Sequence, residues 1–215
     1  IKIAIGASLL SLFVLANIIL IASDTIQIDR NFEQKSIGKY LFFLEDKHSN
    51  YTFNEIVSGK LNHNFFKSEK EIPYFGYKKS NYWLFFTLDN TTNETKHIFI
   101  EFSYPLLYKV SFFKPDSIGK ITVQHSGTGI KFNQRPFKES ANLFDVTIEP
   151  KTAITLYAKV ESQGIDISIP VTISTPNAYQ HTMKRQFFFN GFYYGILVLM
   201  ILINLFYFIN LKDKA

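Results

Sequence analysis

Residues 187–211 run for 25 positions without a charge, and their non-apolar members are Asn190, Gly191, Gly195, Asn204 and Asn210. A helix of that length, rising about 1.5 Å per residue, covers the ~30 Å hydrocarbon core of a bilayer with some tilt. A buried helix of a soluble domain rarely continues so long without a charged residue, so this segment is read as a transmembrane helix. Hydrocarbon offers no partner for a backbone amide, and the stretch must therefore satisfy its own hydrogen bonds as a helix.

Within it, Gly191 and Gly195 form a small-xxx-small pair, and Asn190 and Asn204 fall within about 40° of each other on the helical wheel. Glycines four apart let a second helix approach closely, and an asparagine in lipid requires a hydrogen-bond partner. Gly191, Gly195 and Asn204 are thus the expected packing face of one helix in a bundle. The competing reading is a lone anchor with incidental glycines.

A second apolar stretch, residues 3–22, follows Lys2 and is interrupted by Gly6, Ser8, Ser11 and Asn17. It reads as an export signal. It exceeds the ~7–15 residue core of a cleavable signal peptide and lacks a good small-x-small cleavage site, so residues 1–23 are either a signal peptide or an uncleaved signal anchor. The first residue is Ile1 rather than Met, and a start further upstream is expected.

The net charge of +5 resembles a nucleic-acid signal until it is placed along the chain. Between residues 24 and 183 there are 18 Lys/Arg against 17 Asp/Glu, and the remaining excess flanks the apolar segments. A nucleic-acid partner, which needs a basic stripe on the folded domain, is excluded in favour of the membrane. Lys184 and Arg185 balance Lys212 and Lys214, so the local charge rule ties. The export signal breaks the tie and places residues 24–183 outside the cytoplasm.

Between the apolar segments the pattern has period two, with runs of Val, Ile, Thr, Tyr and Phe separated by turn residues about every ten positions. Strands are expected at 40–44, 82–88, 96–102, 107–113, 121–124, 143–148, 154–160 and 167–173. One parity is greasier in each, as in Ile98, Ile100 and Phe102 or Phe144, Val146 and Ile148. Thr52 with Glu55 predicts a capping box opening a short helix to about Leu61. About eight strands in 160 residues predict a mainly β fold, a jelly-roll-like β-sandwich, because a seven-stranded immunoglobulin domain needs only ~100. The expected division is 1–23 signal segment, 24–36 linker, 37–176 sandwich, 177–186 juxtamembrane connector, 187–211 membrane helix and 212–215 cytoplasmic end.

Candidate ligand-binding residues are few. Trp83, the single tryptophan, could stack on a sugar ring, with Tyr82 beside it, but its mid-strand setting favours packing. Arg135, one of three arginines, could grip a carboxylate or sugar hydroxyls with its fork of donors, or pair structurally with Glu45, Asp46 or Glu139. Glu45 and Asp46 could bind hydroxyls or a cation, or merely end a strand. With no cysteine, and histidines at 48, 63, 97, 125 and 181 in no ligand spacing, neither a metal site nor a cofactor is expected. There is no nucleophile elbow, P-loop or dinucleotide glycine pattern, so no enzyme is expected. Asn50, Asn90 and Asn93 match the N-x-S/T pattern.

An ordered set of motifs then carries a resemblance. They are Phe43-Leu44-Glu45-Asp46, Tyr51-Thr52-Phe53-Asn54-Glu55-Ile56, Phe75-Gly76-Tyr77 with Asn81-Tyr82-Trp83-Leu84, and Ser103-Tyr104-Pro105-Leu106-Leu107. They continue with Phe112-Phe113-Lys114-Pro115-Asp116, Gln134-Arg135-Pro136-Phe137, Val160-Glu161-Ser162-Gln163-Gly164, Ile169-Pro170-Val171, and Gly191-Phe192-Tyr193-Tyr194-Gly195 with Asn204-Leu205-Phe206. In this order they resemble the second type of extracellular sensor domain of bacterial seven-transmembrane receptors with diverse intracellular signalling modules. Two positions depart from that pattern: Phe85 or Phe86 stands where an arginine is frequent, and Tyr108 where an aspartate is common.

The resemblance implies a jelly roll related to carbohydrate-binding modules in a bacterial cytoplasmic membrane. It would sense a carbohydrate or other small ligand and signal through further transmembrane helices to a cytoplasmic output domain, residues 187–211 being the first of seven helices and the chain a fragment of a longer receptor. The expected route runs from the sandwich through residues 173–186 to the Gly191/Gly195/Asn204 face. The rival is a membrane-tethered carbohydrate- or protein-binding module that passes no signal.

Overall fold

A computed structural model describes residues 25–115 and 120–210. The signal segment 1–23 and the end 212–215 lie outside the described residues. The chain divides into two units, one up to Thr175 and one from Pro176.

The first unit is built on strands β1 (Thr25–Ile28), β2 (Gln34–Ser36), β3 (Phe42–Asp46), β4 (Phe66–Lys67), β5 (Tyr74–Lys78), β6 (Asn81–Asn90) and β7 (Lys96–Phe102). They are followed by β8 (Lys109–Pro115), β9 (Ile121–Ser126), β10 (Asn142–Ile148), β11 (Ala153–Glu161), β12 (Ile165–Ser168) and β13 (Val171–Ser174). A seven-stranded sheet has the order β4-β3-β6-β11-β8-β9, with β1 also on β6. A four-stranded sheet has the order β10-β7-β13-β2, and β5 and β12 form a separate ribbon.

The expected alternation holds. Leu84, Phe86, Leu88, Val110, Phe112 and Val160 of the first sheet meet Ile98, Ile100, Phe102, Phe144, Val146 and Ile173 of the second in one core, each of them buried. Phe112 and Phe144 join the two layers, stacked at 4.9 Å with 22° between ring planes. The sheets are sandwich-like and the fold is mainly β, as the periodicity required.

Strand β6 is buried on both faces over its first half, because a second cluster covers the outer side of the sheet. Leu44, Ile56 and Trp83 form it, with Phe53, Phe113 and Tyr157 packed against them. Ile56 comes from α1 (Phe53–Val57), whose start carries the expected capping box: the Thr52 hydroxyl accepts from the Glu55 amide and the Glu55 carboxylate from the Thr52 amide. The helix stops at Val57, capped by Ser58, short of Leu61.

Two further expectations are corrected. Residues 24–36 were expected as linker, but β1 pairs in parallel with β6 from Thr25↔Thr87 to Ile28↔Asn90, and β2 pairs with β13. Ile26 and Ile28 are fully buried, and burying that alternation is what holds β1 on the sheet. The expected strand 167–173 is two strands, since Pro170 has no amide to give a ladder. The juxtamembrane connector expected at 177–186, given no secondary structure from sequence, is helical.

The second unit is that helix, α2 (Pro176–Asn210), 35 residues long. It opens on Pro176, whose missing N–H is one of the unpaired donors of any first turn. Its length and composition suffice to cross a membrane. The side-chain amides of Asn204 and Asn210 donate to the carbonyls of Met200 and Phe206 one turn back, at 2.8 and 2.9 Å.

Candidate functional site

At the end of the sandwich where β6 begins, four segments meet around an open cleft of about 590 Å³. The β5–β12 ribbon contributes Tyr77 and Asp166, which are direct cross-strand partners. The loop between β7 and β8 contributes Tyr104, Leu106 and Tyr108; Thr128 follows β9, and Gln163 lies between β11 and β12.

Local chemistry fixes each piece. Leu107 is buried and anchors its loop, while the amides of Thr128 and Gly129 donate to the carbonyls of Leu107 and Tyr108 at 2.9 and 2.8 Å. Two loops are thereby zipped together. Gly127 sits at φ +130°, in the region that favours glycine, and any Cβ there would strike the backbone of Tyr108 and Lys109. Asn142, fully buried, accepts from the Ser126 hydroxyl at 2.8 Å and donates to the Tyr104 carbonyl at 3.3 Å, tying the cleft floor to the second sheet. On the other wall Ser162 donates its hydroxyl to the Lys78 carbonyl at 2.8 Å and accepts from the Gly164 amide.

Of the three lining rings Tyr77 is presented, whereas Tyr104 and Tyr108 are half-buried, Tyr104 packed against the main core. Tyr77 is 75% exposed and Leu106 57%. Tyr74, at the start of β5, is hydrogen-bonded to the Asp166 carboxylate, which pushes its phenol pKa above the ordinary value. Asp166 is the single formally charged side chain in the lining described. The arrangement offers three phenols, one carboxylate, one side-chain amide and one threonine hydroxyl to a small molecule.

The five residues singled out from sequence lie elsewhere. Trp83 is 2% exposed in the second cluster, 5.4 Å from the Phe113 ring, with the Lys159 ammonium 5.3 Å over its face. Tyr82 points into the main core and stacks on Phe75 at 4.1 Å; burial pushes its phenol pKa up. Asp46 is buried and accepts from the amides of Asn50 and Tyr51 at 2.9 and 3.2 Å, so it ends β3 and starts the following turn. Glu45 pairs with Lys78 at 3.2 Å. Burial opposes its ionisation, but bonds from Ser80 and Lys78 hold its carboxyl below the ordinary value.

Arg135 donates from Nε to the Ile130 carbonyl at 3.3 Å and lies 5.6 Å over the Phe132 ring. It braces its own loop, and no ion pair with Glu45, Asp46 or Glu139 forms among the described residues. Asn90, one of the N-x-T asparagines, is fully buried and its side chain is consumed by bonds to neighbouring turns.

Residues 38–175 match the family model described as 7TMR-DISM extracellular 2. The chain belongs to that family. The match covers the sandwich from residue 38 onward, with β1 and β2 before it, and ends at Thr175, one residue before α2. An extracellular family domain followed by a helix able to cross a bilayer makes this the sensor domain of a membrane receptor, with an extracytoplasmic segment. No curated protein matches the chain.

Motifs that carried the resemblance to 7TMR-DISM domains converge on the cleft: Phe75-Gly76-Tyr77, Ser103-Tyr104-Pro105-Leu106-Leu107 and Val160-Glu161-Ser162-Gln163-Gly164 each supply a wall. Of the two departures, Tyr108 lies in the cleft and Phe85 and Phe86 do not. Phe86 is core, and Phe85 stacks on Phe42 at 4.9 Å. Sequence reasoning missed the cleft because its lining comes from four separated segments. The clustering of aromatic residues with turn glycines in those motifs was the available signal.

Proposed function

We propose that this domain binds a small extracellular ligand, a carbohydrate or another small molecule, in the tyrosine cleft, and that binding is signalled through the transmembrane bundle of a bacterial cytoplasmic-membrane receptor to a cytoplasmic output domain. The observation that carries the reading is the convergence of three motif segments, distant in sequence, on one open aromatic cleft. Exposed tyrosine faces with a few fixed polar groups are what a small-ligand site requires, and a jelly-roll relationship to carbohydrate-binding modules fits that chemistry. Binding rather than catalysis is part of the proposal. Asp166 stands alone in the lining described, where glycoside hydrolysis uses a pair of carboxyl groups.

Signalling requires the ligand to favour one of two states of the receptor. Gly191 and Gly195 leave room for a neighbouring helix, with nothing within 4 Å of a Cβ at either position. A membrane-tethered binding module is the second reading, favoured by Asn204, whose amide is satisfied within its own helix.

The test is a thermal-shift screen of sugars and small metabolites on the chain and on Tyr77→Ala, followed by output measurements on the receptor carrying Gly191→Leu. Ligands lost in Tyr77→Ala, with output lost but binding kept in Gly191→Leu, support the proposal. Ligands that bind Tyr77→Ala equally well contradict the site. Output that survives Gly191→Leu contradicts the helix role.

A further inference from the structure

We propose that the cleft selects an organic cation, a ligand carrying an alkylated ammonium group. This rests on the cleft being the ligand site and names the chemistry it takes. Tyr77 on β5 and Tyr104 and Tyr108 on the β7–β8 loop line one space, and the face of a phenol ring carries the negative end of its quadrupole. Asp166 adds a full negative charge on the same wall, directly opposite Tyr77 across the ribbon.

The partner of that carboxylate decides the sign of the site. Asp166 is held by the hydroxyl of Tyr74, a neutral donor that orients the carboxylate without cancelling its charge. Two basic side chains nearby are directed elsewhere. The Lys109 ammonium bonds Glu161 at 2.8 Å, that of Lys78 bonds Glu45 at 3.2 Å, and neither lines the cleft. The stem of Lys79 lies within contact of a Cβ at Gly164, beside the Tyr77 hydroxyl, and its residue is outside the lining. The described lining therefore has one formal charge, negative, in a domain whose charges otherwise nearly balance.

An anion would meet Asp166 and three ring faces and be repelled by all four. A neutral sugar would find stacking surfaces and the hydroxyls of the three tyrosines, Gln163 and Thr128, but would leave the charge of Asp166 unmatched. An alkylated ammonium uses every feature: its methyl groups rest on the rings and Leu106, and its charge is met by the rings and Asp166. Such a cation also sheds water more readily than a primary ammonium, which suits an open cleft. The same group occurs on free solutes and on phosphocholine lipid headgroups.

The test is isothermal titration of the full chain, in a polyoxyethylene detergent free of sugar and choline headgroups. The probes are choline, glycerophosphocholine, 3,3-dimethylbutan-1-ol (the uncharged isostere of choline) and glucose. Saturable binding of either probe that carries the trimethylammonium group, with the isostere about tenfold weaker, is the expected result. Choline alone points to a free solute and glycerophosphocholine alone to a headgroup.

Asp166→Asn should lose about tenfold for the cation and leave the isostere unchanged, and unaltered thermal unfolding of the variant separates lost charge from lost fold. Equal binding of cation and isostere, or no cation binding at all, overturns the proposal. Glucose binding that vanishes in Tyr77→Ala while choline fails to bind would overturn the cation class and leave the cleft as the ligand site.

Discussion

The ring of Tyr108 rests on Gly129: a Cβ at position 129 would lie 2.6 Å from the ring's Cε2 and 2.7 Å from its Cζ. Tyr108 can hold that place in the cleft wall only while residue 129 lacks a side chain. Gly129→Val should swing the ring away and weaken ligand binding by about tenfold, the loss of one aromatic contact in a small site. Both positions are at least partly exposed, so the denaturation midpoint should shift by less than about 1 kcal/mol equivalent. A binding curve and a urea melt on the same variant check the pair of outcomes.

Asn90 joins two turns at the opposite end of the sandwich. Its amide donates to the carbonyls of Glu94, Ile148 and Glu149 at 2.7, 3.1 and 3.0 Å, and its oxygen accepts from the amide and hydroxyl of Thr92 at 3.0 and 2.7 Å. Asn90→Ala strands these groups in a buried site and should cost about 2–4 kcal/mol by urea unfolding, with ligand binding unchanged. Asn90→Asp should be no better, since it turns a donor facing three carbonyls into an acceptor.

Trp83 is a stability residue. Trp83→Ala should cost about 3–5 kcal/mol through the cavity left among Leu44, Ile56 and Phe113, while a ligand bound in the cleft keeps its affinity in whatever fraction remains folded. Titration calorimetry below the variant's melting temperature separates the two effects.

The sheet pattern was legible because alternation survives wherever one face is buried, as at Ile98, Ile100 and Phe102. It failed where that rule was locally suspended. Asn81–Leu84 is buried on both faces, one in the main core and the other under the cluster that α1 joins, so parity there says nothing about orientation, and Trp83 reads the same as a ligand platform or a second core. β1 and β2 were hidden by their shortness and by polar residues between them. The candidate site was illegible as a site because Tyr77, Tyr104, Tyr108 and Asp166 come together only through β5–β12 pairing and the two zipped loops. Charge and rarity drew attention instead to Arg135 and Glu45, which brace local structure.

Glu101 gives the domain a pH dependence. Burial raises its carboxyl pKa above the ordinary 4.5, against a weaker opposing bond from Ser103. A raised folded-state value means the native state binds the proton more tightly than the unfolded chain. The stability that Glu101 allows is therefore full below about 4.5 and is lost as pH rises through the folded pKa. Glu101→Gln should melt higher than the parent at pH 7, and the gap should close on acidification to pH ~4. A gap that widens toward acid would show the sign to be wrong.

The chain contains no cysteine, so a single introduced thiol reports its own surroundings without background. The most direct test of an outward-facing ligand cleft is the labelling of Thr128→Cys by a membrane-impermeant maleimide in intact cells, with Thr147→Cys on β10 as the control. Thr128 and Thr147 are both exposed. Both thiols should label without permeabilisation, and added choline should slow Thr128→Cys alone. Labelling of either position only after the cells are opened would place the domain on the wrong side of the membrane for a sensor and contradict its role.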